Sequence, residues 1–139
     1  MYRDNYLEDR VMSASPVELI RMLYDGAIES VERARLSLRE GDIPGRARAV
    51  TKAAEIVGEL AQALRQPEGG SAEIEMNLRR LYDYVLARLS EGNASQTDAP
   101  FAEAGRVLST LLEAWREVAD PPATPAGRSA AAGQLTLQG

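Results

Sequence analysis

The fold of this chain is decided by SASPVELIRMLYDGAI, residues 13–28, which combine the strongest helix start in the sequence with its densest apolar run. Ser15 can accept a hydrogen bond from a backbone amide of the first turn, while Glu18 can reach back to the amide of Ser15. Pro16 suits the first helical position, where its missing N–H leaves no bond unmade. Apolar side chains follow on more than one face, so this helix is predicted to sit centrally or to offer a second face to a partner.

The first predicted helix runs from Pro16 to about Arg39 and is followed by Gly41, a left-handed cap, and Asp42, the N-cap of a second helix that ends near Gln66. So short a connection favours an antiparallel helical hairpin. Apolar spacing by threes and fours predicts the core stripes. These are Ile20, Leu23, Ala27, Val31, Ala34 and Leu38 on the first helix, and Ala47, Val50, Ala54, Val57, Ala61 and Leu64 on the second, with a further row at Ala49, Ala53, Ile56 and Leu60.

Two more helices are predicted after the break at residues 67–70. Ser71 begins the third, which runs to about Glu91, and a polar loop leads to Asp98, the N-cap of the fourth. Their predicted stripes are Ile74, Leu78, Leu81, Val85 and Leu89, then Ala104, Leu108, Leu111, Trp115 and Val118. Four amphipathic helices without a β pattern predict an all-α fold, an antiparallel up-down-up-down four-helix bundle.

Composition divides the chain into three parts. Residues 1–14 are predicted to form an N-terminal arm, residues 15–120 the bundle, and residues 121–139 a flexible tail rich in Pro, Ala and Gly. The arm holds two of the five tyrosines, which favours docking onto an apolar surface. We predict that its apolar residues act as a lid; these are Tyr2, Tyr6, Leu7 and Val11.

The residue types exclude several classes of function. Cys and His are both absent, so thiolate nucleophiles, histidine proton relays and His or Cys metal sites are excluded, and we expect no catalysis, no metal and no cofactor. A net charge of −5, from 16 basic and 21 acidic residues, gives no overall attraction to nucleic acid or anionic membranes. The charged N-terminus is unlike a secretory signal, and no segment predicts membrane insertion, so we expect a cytoplasmic protein.

With these classes excluded, the remaining candidate function is binding through apolar surface. Each of the Met and Tyr residues of the helices could fill the core, but together with the aromatic arm they fit a groove for an amphipathic or extended peptide. The predicted groove residues are Leu19, Met22, Tyr24, Ile56, Leu60, Tyr82 and Tyr84. The alternative is a structural bundle that only associates with itself through its extra apolar face. Periodicity alone leaves both open, and the free protein is expected to be a monomer or a weak dimer.

The order of these features resembles the flagellin-specific export chaperone family, FliS. The most specific blocks are residues 13–28 and Asn77-Leu78 leading to Leu81-Tyr82-Asp83-Tyr84, and the resemblance spans about residues 2–118. Further matching positions are Tyr6, Val11, Gly41-Asp42, Lys52-Ala53, Ile56, Glu59-Leu60, Gly69-Gly70, Arg88-Leu89, Trp115 and Glu117.

The resemblance implies an antiparallel helical bundle that binds the disordered C-terminal region of newly made flagellin in the cytoplasm. Such binding would prevent premature polymerisation and assist delivery to the flagellar type III export apparatus, where the export gate is a further potential partner. It also implies a protein that is not an enzyme and uses no cofactor.

Overall fold

The computed structural model describes residues 14–64 and 72–119, which form four α-helices and, within these ranges, no strand. The helices are α1 (Pro16–Glu40), α2 (Ile43–Ala63), α3 (Ala72–Ser95) and α4 (Asp98–Ala119). The predicted arm, except for Ala14, and the predicted tail from residue 121 lie outside the described residues.

The start of α1 follows from its capping residue. The Ser15 hydroxyl accepts a hydrogen bond from the Glu18 amide at 3.2 Å, as predicted, and Pro16 stands in the first turn. The sequence also predicted that the Glu18 carboxylate would bind the Ser15 amide, but in the structure this carboxylate forms an ion pair with Arg21 at 3.1 Å. At the other end Gly41 adopts a left-handed φ of 71° and its amide bonds to the Leu38 carbonyl, which closes α1.

Each helix packs against two neighbours, which confirms the predicted antiparallel bundle. α1 lies between α2 and α4, and α3 completes the ring; α1–α2 is the most extensive of the four interfaces and α2–α3 the least. Two-residue connections, Gly41–Asp42 and Gln96–Thr97, join the helices at one end of the bundle, here called the closed end. The start of α1, the end of α2, the start of α3 and the end of α4 therefore meet at the opposite end, here called the open end.

The row of α2 side chains that faces the core differs from the row predicted first. Its inner row is Ala49, Ala53, Val57 and Leu60, whereas Ala47 is exposed and Val50 only partly buried. The predicted further row thus supplies most of the core, because α2 must face the bundle axis and not only α1. The remaining fully buried apolar residues are Tyr24, Ala27, Val31 and Ala34 of α1, Tyr82, Val85 and Leu89 of α3, and Phe101, Ala104, Leu108 and Leu112 of α4.

The turn between α3 and α4 begins later than predicted. α3 continues through Gly92 to Ser95, and Gln96 makes the turn with a φ of 57°. A Cβ on Gly92 would lie 2.8 Å from the buried Phe101 ring, so glycine permits the close crossing of α3 and α4. Ile74 and Val118, both predicted to be core, are exposed because they lie in the terminal turns at the open end, where fewer side chains surround them.

Candidate peptide-binding surface

Three of the seven predicted groove residues lie in the core. Tyr24, Leu60 and Tyr82 are only 3%, 1% and 3% exposed, so in this structure they present no surface to a peptide, and the prediction that they line an open groove is corrected. Large side chains near the middle of long helices fill the bundle axis, where close packing leaves few voids.

The two buried tyrosines satisfy each other. Their phenol oxygens lie 2.7 Å apart, which joins α1 to α3 across the bundle. Burial, together with the hydrogen bond to Tyr82, raises the pKa of Tyr24 far above its ordinary value. Burial likewise raises the pKa of Tyr82. Both phenols therefore remain protonated at neutral pH.

Leu19, Met22 and Ile56 remain partly accessible, and Ile56 of α2 lies against α1 at Gly26. Gly26 permits this meeting: a Cβ placed there would lie 3.3 Å from the Ile56 Cδ1 atom. Met22 and Leu19 precede Gly26 by four and seven residues, so they continue the same face of α1. All three side chains are half-buried. Leu19, Met22, Gly26 and Ile56 define what we call the α1–α2 groove.

A shallow open depression extends from this groove along the outer face of α2. One part is lined by Glu55, Ile56, Gly58, Glu59 and Gln62, and the adjoining part by Ala47, Arg48, Thr51, Lys52 and Glu55. At 1.5 Å per residue the two parts extend about 22 Å along the helix. The depression is basic toward the closed end, at Arg48 and Lys52, and acidic toward the open end, at Glu55 and Glu59.

Tyr84 lies on a different face, between α3 and α4. It is 43% exposed, and its hydroxyl donates a hydrogen bond to Glu103 at 2.6 Å. Arg88 forms an ion pair with the same carboxylate at 2.7 Å. The hydrogen bond to Glu103 raises the pKa of Tyr84, and the same bond lowers the pKa of Glu103. The α3–α4 interface lies opposite the α1–α2 interface in the ring, so the seven predicted residues do not form one groove.

Polar contacts hold the closed end together. The Arg35 guanidinium binds both carboxylate oxygens of Asp98 at 2.8 and 2.9 Å, linking α1 to the start of α4. Arg46, only 7% exposed, donates to the Asn93 side-chain oxygen at 2.8 Å and so links α2 to α3. Hydrogen bonding to Arg35 lowers the pKa of Asp98. None of Gly26, Arg46 and Phe101 was singled out from sequence, although a glycine inside an apolar helix was an available signal of close approach.

The described residues hold little that could make or break covalent bonds. Residues 14–64 and 72–119 contain no group of acidic side chains able to hold a metal ion. Across the same ranges no helix is long and apolar enough to cross a membrane. The structure thus belongs to the class of all-helical bundles, and a shallow apolar surface between two helices is one that an amphipathic or extended segment of another chain can occupy.

Comparison with known proteins agrees. Residues 1–122 match the family described as Flagellar protein FliS. Similar proteins include the flagellar secretion chaperone FliS of Salmonella typhimurium, 41% identical over 118 residues that cover 84% of this chain and 86% of that protein. The flagellar secretion chaperone FliSB of Pseudomonas aeruginosa is 34% identical over 114 residues, 82% of this chain and 89% of that protein. The chain belongs to the FliS family.

Membership in this family confirms two predictions. The protein is a chaperone of flagellar export, and it belongs to a family of proteins that are not enzymes. A chaperone of flagellar export acts by binding, so the family implies a flagellar protein partner.

Proposed function

We propose that this protein binds the disordered C-terminal region of flagellin in the cytoplasm, prevents its premature polymerisation and assists its delivery to the flagellar type III export apparatus, including the export gate. The observation that carries the proposal is the α1–α2 groove. There Leu19, Met22 and Ile56 are only partly buried, Gly26 lets α1 approach Ile56 closely, and the depression along α2 continues from Ile56.

The groove suits a client that is amphipathic and unfolded when free. Apolar side chains of such a segment would leave water on the groove, a gain of about 25 cal/mol for each Å² buried. Ordering the client opposes much of this gain, so binding is expected to be specific and still reversible. While the segment is covered, its apolar face is unavailable for polymerisation.

The arm completes the proposal. Tyr2, Tyr6, Leu7 and Val11 would cover the groove in the free chaperone and leave it when the client binds. Deleting residues 1–10 removes this competitor and keeps the Ser15 cap. We expect the shortened chain to bind a flagellin C-terminal peptide several-fold more tightly in a calorimetric titration. An unchanged affinity, with no change in protease sensitivity of the arm on binding, would disprove the lid.

A pair of matched variants on α1 tests the groove. Met22→Glu places a charge in it, whereas Val17→Glu places the same charge at an exposed apolar position of the same helix, nine residues from Gly26 and therefore on the opposite side of α1. We expect Met22→Glu to weaken peptide binding by at least about tenfold and Val17→Glu to change it less than about twofold. Met22→Leu should restore the affinity. A folded Met22→Glu variant with full affinity would contradict the assignment.

Sedimentation at increasing protein concentration addresses self-association. The proposal predicts a one-to-one complex between a chaperone monomer and the peptide. A tight dimer that does not bind the peptide would instead support a structural bundle.

A further inference from the structure

The exposed charges of α2 are segregated by sign along one face of the helix. Four charged side chains are exposed, at Arg48, Lys52, Glu55 and Glu59, and the one other charged residue of α2, Arg46, is buried. Spacings of four, three and four residues place the exposed four on one face, here called the charged strip. They line the depression along α2, with the cations toward the closed end and the carboxylates toward the open end.

This order of charges is unfavourable for the isolated helix. Arg48 and Lys52 are four residues apart, as are Glu55 and Glu59, and like charges at this spacing destabilise a helix. Lys52 and Glu55, at the junction, are the one neighbouring pair of opposite sign. None of the four forms an ion pair with another of the described residues.

The direction of the charge order also opposes the helix dipole. The dipole favours acidic side chains near the start of a helix and basic side chains near its end. Within α2 the first turn holds no acidic residue and the last turn holds no basic residue. Neither helix stability nor ion pairing within the described residues therefore accounts for the charged strip.

Gly58 is a further unfavourable choice in the same depression. It lines the depression beside Glu55 and Glu59, and a Cβ built on it meets nothing within 4 Å. Packing within the chain therefore does not require glycine, although glycine inside a helix is less favourable than alanine. Without a side chain, this position lets another backbone approach α2 closely. Local choices that lower stability without a gain in the folded chain are expected where a protein binds a partner.

The spacing of the charges describes the partner. The midpoints of the cation pair and the carboxylate pair are seven residues apart, about 10 Å along the helix. A segment that neutralises both pairs carries an acidic and a basic group about 10 Å apart, which is two helical turns or about three residues of extended chain. Ile56, which belongs to the α1–α2 groove, lines the same depression. One segment can therefore contact the groove and the charged strip together.

We propose that the charged strip binds a bipolar segment of the client, whose acidic group lies on Arg48 and Lys52 and whose basic group lies on Glu55 and Glu59. The client then lies along α2 in one direction only, because the reverse direction would bring like charges together. The inference rests on the proposed function for the identity of the client. Charge complementarity carries it, since such a segment relieves the repulsion within both pairs.

Exchanging two of the four charges tests the proposal at constant composition and net charge. In the double variant Lys52→Glu/Glu55→Lys the signs alternate, so every charge has an opposite neighbour three or four residues away. We expect this variant to unfold at a temperature at least about 2 °C higher than the unsubstituted chain. It should bind a flagellin C-terminal peptide at least about fivefold more weakly at low salt. The difference in affinity should fall below about twofold at 1 M salt, where exposed charges are screened.

The matched control makes the same kind of exchange on the opposite side of the bundle. Arg106→Glu/Glu113→Arg exchanges two exposed charges of α4, the helix opposite α2 in the ring. This variant should change the affinity for the peptide less than about twofold at either salt concentration. A second peptide, with Asn and Gln in place of its Asp and Glu residues, lacks the acidic groups. We expect it to distinguish the unsubstituted chain from the Lys52→Glu/Glu55→Lys variant by less than about twofold.

The outcomes separate this inference from the proposed function. Equal affinity of the unsubstituted chain and the Lys52→Glu/Glu55→Lys variant for the original peptide overturns the charged strip and leaves the proposed function in place. An equal loss in the α4 control, or a loss that persists at 1 M salt, overturns it as well. An unfolding temperature that does not rise shows that segregation costs the free protein nothing, which removes the argument. A peptide that does not bind the unsubstituted chain overturns the proposed function and, with it, the occupant of the strip.

Discussion

The hydroxyls of Tyr24 and Tyr82 meet 2.7 Å apart in the core and join α1 to α3, two helices that are not adjacent in the ring. Each hydroxyl is the other's partner, so the pair places polar atoms on the bundle axis without leaving either unsatisfied. The bond also favours one rotational setting of α1 relative to α3, because each phenol must point at the other.

Removing both hydroxyls should therefore cost less than the costs of the two single removals added together. Tyr24→Phe or Tyr82→Phe leaves a buried hydroxyl without a partner and should lower the free energy of unfolding by about 1–3 kcal/mol. The double variant should be less destabilised than the sum of the two, by about 1 kcal/mol or more. Urea denaturation of the four proteins gives this coupling energy, with the exposed Tyr84→Phe as control. Additive effects would show that the bond does not couple the two helices.

The same pair predicts a loss of stability in alkali. Burial raises the pKa of both Tyr24 and Tyr82 above the ordinary value near 10, so above that pH the folded protein binds more protons than the unfolded chain. Stability then decreases as pH rises, by up to about 2.7 kcal/mol per pH unit for two groups. Thermal unfolding from pH 8 to 12 should show this loss, which the double Phe variant should reduce.

The ion pair between Arg35 and Asp98 predicts the opposite dependence at low pH. Hydrogen bonding to Arg35 lowers the pKa of Asp98, so the contribution is present above the ordinary Asp pKa and is lost as pH falls through the lowered value. Both side chains are partly exposed, at 28% and 42%, so Asp98→Asn should cost only about 0.5–1 kcal/mol at pH 7. The difference between the variant and the unsubstituted protein should vanish near pH 2. Chemical denaturation at the two pH values measures it.

The helices were predictable because their signals are local. Ser15 and Asp42 each accept a hydrogen bond from the backbone amide three residues on, and Gly41 closes α1 with left-handed backbone geometry, whereas Asp98, predicted as an N-cap, lies inside α4 and binds Arg35. The side-chain rows that face the bundle axis were harder to predict, since α2 carries two alanine-rich rows and only the position of α3 selects between them. The spacing in the sequence shows that both rows are apolar. Which row is buried depends on the shape of the helix that packs against it.

The candidate site was predictable to a smaller extent. Met22 and Ile56 are partly accessible in the structure, and their role in binding stays a prediction. The close approach of α1 to Ile56 depends on Gly26, because that residue has no side chain. Tyr24 was predicted to line the groove, but its hydroxyl bonds in the core to that of Tyr82, which lies 58 residues away in the chain. Pairings of this kind depend on three-dimensional contacts between helices, which the spacing within one helix does not contain.

Two glycines in helix interiors are expected to respond oppositely to the same substitution. A Cβ at Gly92 would lie 2.8 Å from the Phe101 ring, which is fully buried and has little room to move, whereas a Cβ at Gly58 meets nothing within 4 Å. Gly58→Ala should therefore raise the free energy of unfolding by up to about 1 kcal/mol, the gain in helix propensity. Gly92→Ala should lower it by about 1–2 kcal/mol, because overpacking outweighs that gain.

Urea denaturation of both alanine variants beside the unsubstituted protein measures the difference between the two sites. Gly58→Ala is the matched control, since it makes the same chemical change in a helix without the close contact. Equal stabilisation by both substitutions would show that α3 and α4 can separate around a methyl group at no cost. A loss confined to Gly92→Ala would instead establish that the crossing of α3 and α4 requires glycine, and with it the position of Phe101 in the core.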